Sequence, residues 1–498
     1  MNRNITNIVS ALVLAYVTGC NTSSSHTEII DESSSPSGSG ATDNAGSGGN
    51  VAGNVTGSGS MPSSDTGGVA GTGASDANGT GSSTSSGSGS NQGAGGNTGS
   101  GGDGTGDAGT SVVSIADAGC PDEDLLPLPE DPGVRGPWKV GIKTVQIGRL
   151  ETDVIYPAEP GSTDGVEVAT FDIRDWLPEA ERSKVPDDAV PAVTAIDGDL
   201  YRDVPIDGGH GPYPLIVMIH GTASMRIAAG STLAHWASRG FVIASADYPG
   251  LGLSDKLSET LECSLPVSGA QDLPGDVTLQ MNAMKNPTGD LAFLAGHVNT
   301  DRAGLGGHSQ GGCVVATLPG MFSNVEVVIA ESASSYMTAA SNLKAYMYIG
   351  GISDTVINFA PPAVTLGNIV CPANPLPAST QTEAYNLSVG PPDTRKRLVG
   401  ITGGGHLLPT DLCQKNQYDR NAIEEAQMDG VCGISSAVII GLPTLFDCGT
   451  IDWIEGLRAV NYATTAQLEE TLHCMDRSQA FQDMQSKYPS IGTFEESL

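Results

Sequence analysis

The chain has 498 residues and a formal net charge of −33, with room for one large domain or two ordinary ones. Nine of its 56 acidic residues and one of its 23 basic residues precede Cys120, which leaves the remainder at net −25. A surface of that sign argues against a nucleic-acid partner, which needs a basic face, and against attraction to anionic lipid. It reads instead as a soluble, self-repelling surface.

At the N-terminus, MNRNITNIVSALVLAYVTGC places one basic residue, Arg3, ahead of an apolar run from Ile8 to Val17. The run is too short to span a bilayer and has the shape of a signal peptide, residues 1–19. It ends in Val17-Thr18-Gly19-Cys20, which resembles the lipobox of bacterial lipoproteins, where the cysteine is acylated and becomes the new first residue. That resemblance implies lipidation at Cys20 and an extracytoplasmic protein anchored at the outer membrane or cell surface. Residues 20–119 are almost entirely Ser, Gly, Thr, Asn and Ala. They carry too little bulky apolar surface to offset the entropy of ordering, so this stretch is expected to be a disordered tether. The folded domain is then 120–498.

Eight cysteines follow Cys20, an even number that suggests disulfides outside the cytoplasm. No C-x-x-C spacing points to zinc. Chain proximity suggests the pairs Cys413–Cys432 and Cys448–Cys474, and Cys313 reads as a buried free thiol.

Past a Pro-rich entry, KVGIKTVQI and TDVIYPA read as two strands, followed by a polar excursion to Gly211. LIVMI at 215–219 is continuously apolar, as in a strand covered on both faces of a parallel sheet. STLAHWASRG has helical spacing and stops at Gly240, a plausible C-cap. FVIASA, VEVVIA, AYMYI and RLVGI continue as buried strands separated by helical patterns, and a helical tail closes the chain. The alternation predicts an α/β fold, a mostly parallel sheet with helices on both faces. The stretch from Ser254 to Gly289 reads either as a lid or as a long surface loop.

Between a short strand at 301–305 and a helix from Gln310 lies Gly307-His308-Ser309-Gln310-Gly311, a G-x-S-x-G pattern. A sharp strand-to-helix turn leaves no room for neighbouring Cβ atoms, which accounts for the glycines. It would lift the Ser309 hydroxyl above the sheet, beside a helix N-terminus that favours developing negative charge. A serine nucleophile needs a base oriented by an acid. Two histidines follow it in the chain. His406, in GGGHLLP after a strand, is the expected base, and His473 sits in a helical pattern as a helix-surface or packing residue. Asp354, in GGISDTV after AYMYI, is the expected acid, with Glu331 one strand earlier as its rival. The oxyanion donors are expected to be the N–H groups of Gln310 and Thr222, with Ala223 as the alternative to Thr222. His220 reads as a turn-shaping residue. No metal or organic cofactor is implied.

Taken together, VGIKTVQI, TDVIYPA, FDIRDWLPEAER, GPYPLIVMIHGTASMR, LAHWASRGFVIASADYPGLG, GLGGHSQGG, GGISDTV and GGGHLLP resemble an α/β-hydrolase. The chain is similar to bacterial relatives of platelet-activating-factor acetylhydrolase, dienelactone hydrolase and cutinase-like esterases, from about Trp138 to about Asp411. Dienelactone hydrolases carry a cysteine nucleophile where this chain has Ser309. Polyester-degrading relatives carry an aromatic and a Trp where this chain has Thr222 and Ser332-Ala333, which argues against a stacking clamp for terephthalate-like rings. The resemblance implies a serine hydrolase that cleaves a small-molecule or lipid ester through an acyl-enzyme, touching the membrane through its lipidated N-terminus only. The competing readings are a non-catalytic, hydrolase-shaped surface binding module and an acyltransferase.

Overall fold

The computed structural model describes residues 120, 123–186, 199–361, 371, 378–417, 422–435 and 447–498. The expected signal peptide, the expected lipidation site at Cys20 and the expected tether fall outside the described residues. Three runs show how pattern becomes architecture. Tyr213–Ile219 (β4) is apolar throughout because both of its faces are covered. Leu215, Val217 and Ile219 point into one buried cluster, Ile216 and Met218 into another on the opposite face. Val325–Glu331 (β7) and Ala345–Gly351 (β8) are divided in the same way.

The remaining strands are Val140–Ile147 (β1), Leu150–Pro157 (β2), Leu200–Arg202 (β3), Val242–Asp247 (β5), Val298–His308 (β6), Arg395–Ile401 (β9) and Ile491–Ser497 (β10). They form one sheet in the order β10-β9-β8-β7-β6-β4-β5-β2-β1-β3. The run from β5 through β4 and β6 to β9 is parallel, while β2 pairs antiparallel with both β1 and β5, and β10 antiparallel with β9. The chain passes from β4 to β5 on one side and then crosses to β6 on the other. Loops leaving the C-terminal ends of β4 and β6 therefore diverge, and open α/β sheets bind ligands at such a reversal.

The helices are Gly230–Ser238 (α1), Leu253–Ser258 (α2), Leu273–Lys285 (α3), Gln310–Val315 (α4), Gln381–Leu387 (α5), Ala422–Met428 (α6), Trp453–Leu472 (α7) and Ser478–Lys487 (α8). Leu233 and Trp236 of α1 share one face of the sheet with Trp453, Leu457 and Val460 of α7. Val277 and Met281 of α3, Val314 of α4 and Tyr385 of α5 cover the other. The architecture is α/β, with a mostly parallel sheet between two helical layers. No helix among the described residues is long and apolar enough to cross a membrane.

Three features depart from the sequence expectations. First, Ser254–Gly289 is neither a lid nor a free loop as a whole. Its second half is α3, a crossover helix between β5 and β6, with Arg149 bonded to Asp276 at 2.7 Å. Second, the tail ends in β10, an edge strand whose mixed, mostly uncovered residues hid its type from a burial pattern. Third, the cysteines pair as Cys120–Cys474, Cys263–Cys432, Cys313–Cys371 and Cys413–Cys448. Cys313 is thus bonded rather than free, and the local pairs Cys413–Cys432 and Cys448–Cys474 do not form. Pairing follows spatial approach, with Cα separations of 5.1 to 5.6 Å, and the fold brings residues as far apart as 354 positions together. Four disulfides fit an oxidising, extracytoplasmic compartment.

Cys120–Cys474 closes a buried clamp on the entry segment. Glu123 accepts from His473 at 2.9 Å and pairs with Arg302 at 3.3 Å. Glu469 holds Arg239 at 2.5 Å and Arg477 at 2.7 Å, with Arg239 and Glu469 fully buried. His473 is therefore a packing residue. Replacing Cys120 and Cys474 by serine is expected to lower unfolding stability by about 2–5 kcal/mol, read by denaturant titration, because the bond restricts the unfolded chain over a long loop.

Candidate active site

β6 ends at His308 and α4 begins at Gln310, so Ser309 carries the whole reversal. Its backbone sits at φ 55°, ψ −121°, a conformation that side chains strongly disfavour. Close backbone approach makes the turn fit. A Cβ at Gly311 would lie 2.1 Å from the Ile219 carbonyl oxygen, and one at Gly307 would lie 2.5 Å from the Gly311 backbone. The elbow is thus pressed against both the end of β4 and its own helix. The Ser309 N–H is donated to the Glu331 carbonyl at 2.9 Å, which ties it to β7 as well.

Three of the expected site residues meet here. His406 Nε2 lies 2.9 Å from Ser309 Oγ, and His406 Nδ1 lies 2.9 Å from Asp354 Oδ2. All three are buried, at 4 % exposure or less. Asp354 Oδ1 accepts the N–H groups of Val356 and Ile357, both at 2.8 Å, which fixes the carboxylate plane. With Nδ1 donating to a carboxylate, Nε2 is left as an acceptor facing the serine hydroxyl.

Thr222 and Gln310 also come together. The Thr222 hydroxyl donates to Gln310 Oε1 at 2.5 Å, and Gln310 Nε2 reaches Gln271 Oε1 at 3.3 Å. A Cβ at Gly221 would stand 3.0 Å from Ser309 Cβ, so the loop after β4 abuts Ser309. The Ala223 N–H is donated to the Leu251 carbonyl at 2.9 Å and is already occupied. His220 points away: its Nδ1 bonds the Gly221 carbonyl at 2.8 Å and its Nε2 accepts from Tyr248 N–H at 3.4 Å.

Glu331, the rival acid, stands apart from this relay. It is fully buried, and neither carboxylate oxygen has a hydrogen-bond partner. Burial alone pushes its carboxyl up to about 8.

Two positioning groups carry no motif in the sequence. His308 donates from Nε2 to the carbonyl oxygen of His406 at 2.8 Å, and the two rings lie 5.0 Å apart. Burial, reinforced by His406, pushes His308 down to about 3 and keeps it neutral. Gln381, at the start of α5, donates to Asp354 Oδ2 at 3.2 Å and to the Ile357 carbonyl at 2.9 Å. The adjacency of His308 to Ser309 was the only available clue to either.

Beyond the loop after β4, a cavity of ≈ 1130 Å³ opens, lined by Trp176, Tyr248 and Leu253 among others. Arg226 is held there by Glu151, Asp153 and Asp247, with its guanidinium 5.1 Å over the Trp176 ring. Among the described residues, no group of three or more His, Cys, Asp or Glu side chains is placed to hold a metal ion.

No family model matches the chain, and no curated protein matches it. Among solved structures it is similar to a ferulic acid esterase from Streptomyces cinnamoneus, with 15% identity, 68% of this chain and 91% of that chain covered, and a TM-score of 0.44.

Glu331 should leave a signature in stability. Its folded form keeps a proton that the unfolded chain releases, so the stabilisation is full at pH 4 and is lost as pH rises towards 8. The slope is at most about 1.4 kcal/mol per pH unit. Glu331→Gln is expected to flatten that decline in denaturant titrations at several pH values.

Proposed function

We propose that the chain is a serine carboxylic-ester hydrolase working through an acyl-enzyme. The reading rests on one observation above all: the unbroken Ser309–His406–Asp354 relay, with both contacts at 2.9 Å, at the C-terminal edge of a parallel sheet. His406 Nε2 takes the Ser309 proton as Oγ attacks the ester carbonyl. The carbonyl π pair moves onto oxygen, and the resulting oxyanion is met by the N–H groups of Gln310 and Thr222. Collapse expels the alkoxide, which takes the proton back from His406. Water then repeats the sequence on the acyl-enzyme and releases the acid.

Asp354 holds the ring in the productive tautomer and stabilises the imidazolium as it forms. His308 and Gln381 keep base and acid in register through the contacts described above. In this proposal the enzyme is anchored outside the cytoplasm through lipidated Cys20, at the end of the Gly/Ser-rich tether.

Ser309→Ala is expected to abolish both p-nitrophenyl ester hydrolysis and fluorophosphonate labelling, and Asp354→Asn to lower kcat by roughly 10³- to 10⁴-fold. A Ser309→Ala protein that still labels would contradict the assignment, and an unlabelled wild type would favour a binding module. Comparing hydrolysis with transfer to added alcohol tests the acyltransferase reading.

A further inference from the structure

We propose that Asp447 is a positioning residue that locks the loop carrying Asp354 to the loop carrying His406, and that the Cys413–Cys448 disulfide holds it there. The inference rests on the esterase reading above. Asp447 touches the immediate chain successors of both the acid and the base. Its Oδ2 accepts two hydrogen bonds from Thr355, from the backbone N–H and from Oγ1, both at 2.9 Å. Its backbone carbonyl accepts the N–H of Leu407 at 2.8 Å. Its Oδ1 accepts from Gly449 N–H at 3.0 Å, which fixes the carboxylate.

The approach is built into the base-bearing loop. A Cβ at Gly405 would lie 2.3 Å from Asp447 Oδ1, so only glycine admits the side chain there. The segment after Asp447 is stitched to the same loop. Thr450 N–H and Ile451 N–H both reach the Gly403 carbonyl, at 2.6 and 3.1 Å. Cys448, the next residue, is bonded to the buried Cys413, seven positions past His406. Without this brace the two loops share one direct backbone bond among those described, from Ser353 N–H to the Gly404 carbonyl at 2.9 Å.

Asp447 contacts neither the imidazole nor the serine, so it acts through placement. Displacing a catalytic group by about an ångström costs on the order of 10²-fold in rate, and a loop junction is where such displacement starts.

The test compares wild type, Asp447→Ala, Asp447→Asn, Thr355→Val and the Cys413→Ala/Cys448→Ala pair. Ester kinetics, the rate of fluorophosphonate labelling at Ser309 and thermal unfolding are measured on each full-length protein. Asp447→Ala is expected to lower kcat and the labelling rate about ten- to hundredfold with KM changed less than twofold. Asp447→Asn should recover part of the loss, and the cysteine pair should mimic the alanine variant. Thr355→Val removes one hydroxyl contact and should cost two- to fivefold in kcat with unchanged unfolding temperature, so the proposal stays testable if Asp447→Ala folds poorly. Labelling and kcat within twofold of wild type in both Asp447→Ala and Thr355→Val would overturn the brace while leaving the esterase reading intact. A wild type that neither labels nor hydrolyses would overturn both.

Discussion

A serine held at φ 55° is the constraint around which the rest of the molecule is arranged. A conformation of that kind costs about 1–3 kcal/mol and persists only where its surroundings over-determine it. Here β4, β7 and α4 close on the turn from three sides, at distances that Gly307 and Gly311 permit and any side chain would forbid. The cost is returned as placement. The hydroxyl stands at the rim where the loops after β4 and β6 part, at the N-terminus of the helix that follows it.

The other two members of the Ser309–His406–Asp354 relay arrive from chain far removed from that turn. His406 comes 97 residues later, on a loop after β9, and Asp354 from a loop after β8. Neighbouring parallel strands deliver their loops to one edge of the sheet, so residues distant in sequence become near neighbours in space. Fine alignment then falls to groups with no motif of their own. His308 reaches over to the backbone of His406, and Gln381 reaches Asp354 from α5. His308, buried and neutral beside Ser309, contributes a contact of fixed geometry.

The legible part of this molecule was its strong local patterning. Continuous apolar runs marked the central strands because both faces of a parallel sheet are buried. The glycines around Ser309 marked the elbow because no other residue tolerates that crowding. What could not be read depends on tertiary approach. Cys313 meets Cys371, and Cys120 meets Cys474, through folding rather than chain proximity. The edge strand β10 is mixed in composition, since one side of its ladder and much of its surface are open. Gln381 carries no local sign of its role. Between the two candidate acids the decision also lay in space: Asp354 meets the imidazole, while Glu331 is sealed in the core with neither oxygen partnered.

The central claim is that the Ser309 oxygen becomes covalently acylated. Mixing the protein with p-nitrophenyl acetate, quenching in acid within the first turnovers and mapping its peptides by mass spectrometry tests this directly. The account predicts one acetyl group, carried by the peptide that contains Ser309 and absent when His406 is replaced by alanine. Release of p-nitrophenol in a normal burst with no acyl group on that peptide, or with the acyl group on another residue, would contradict it.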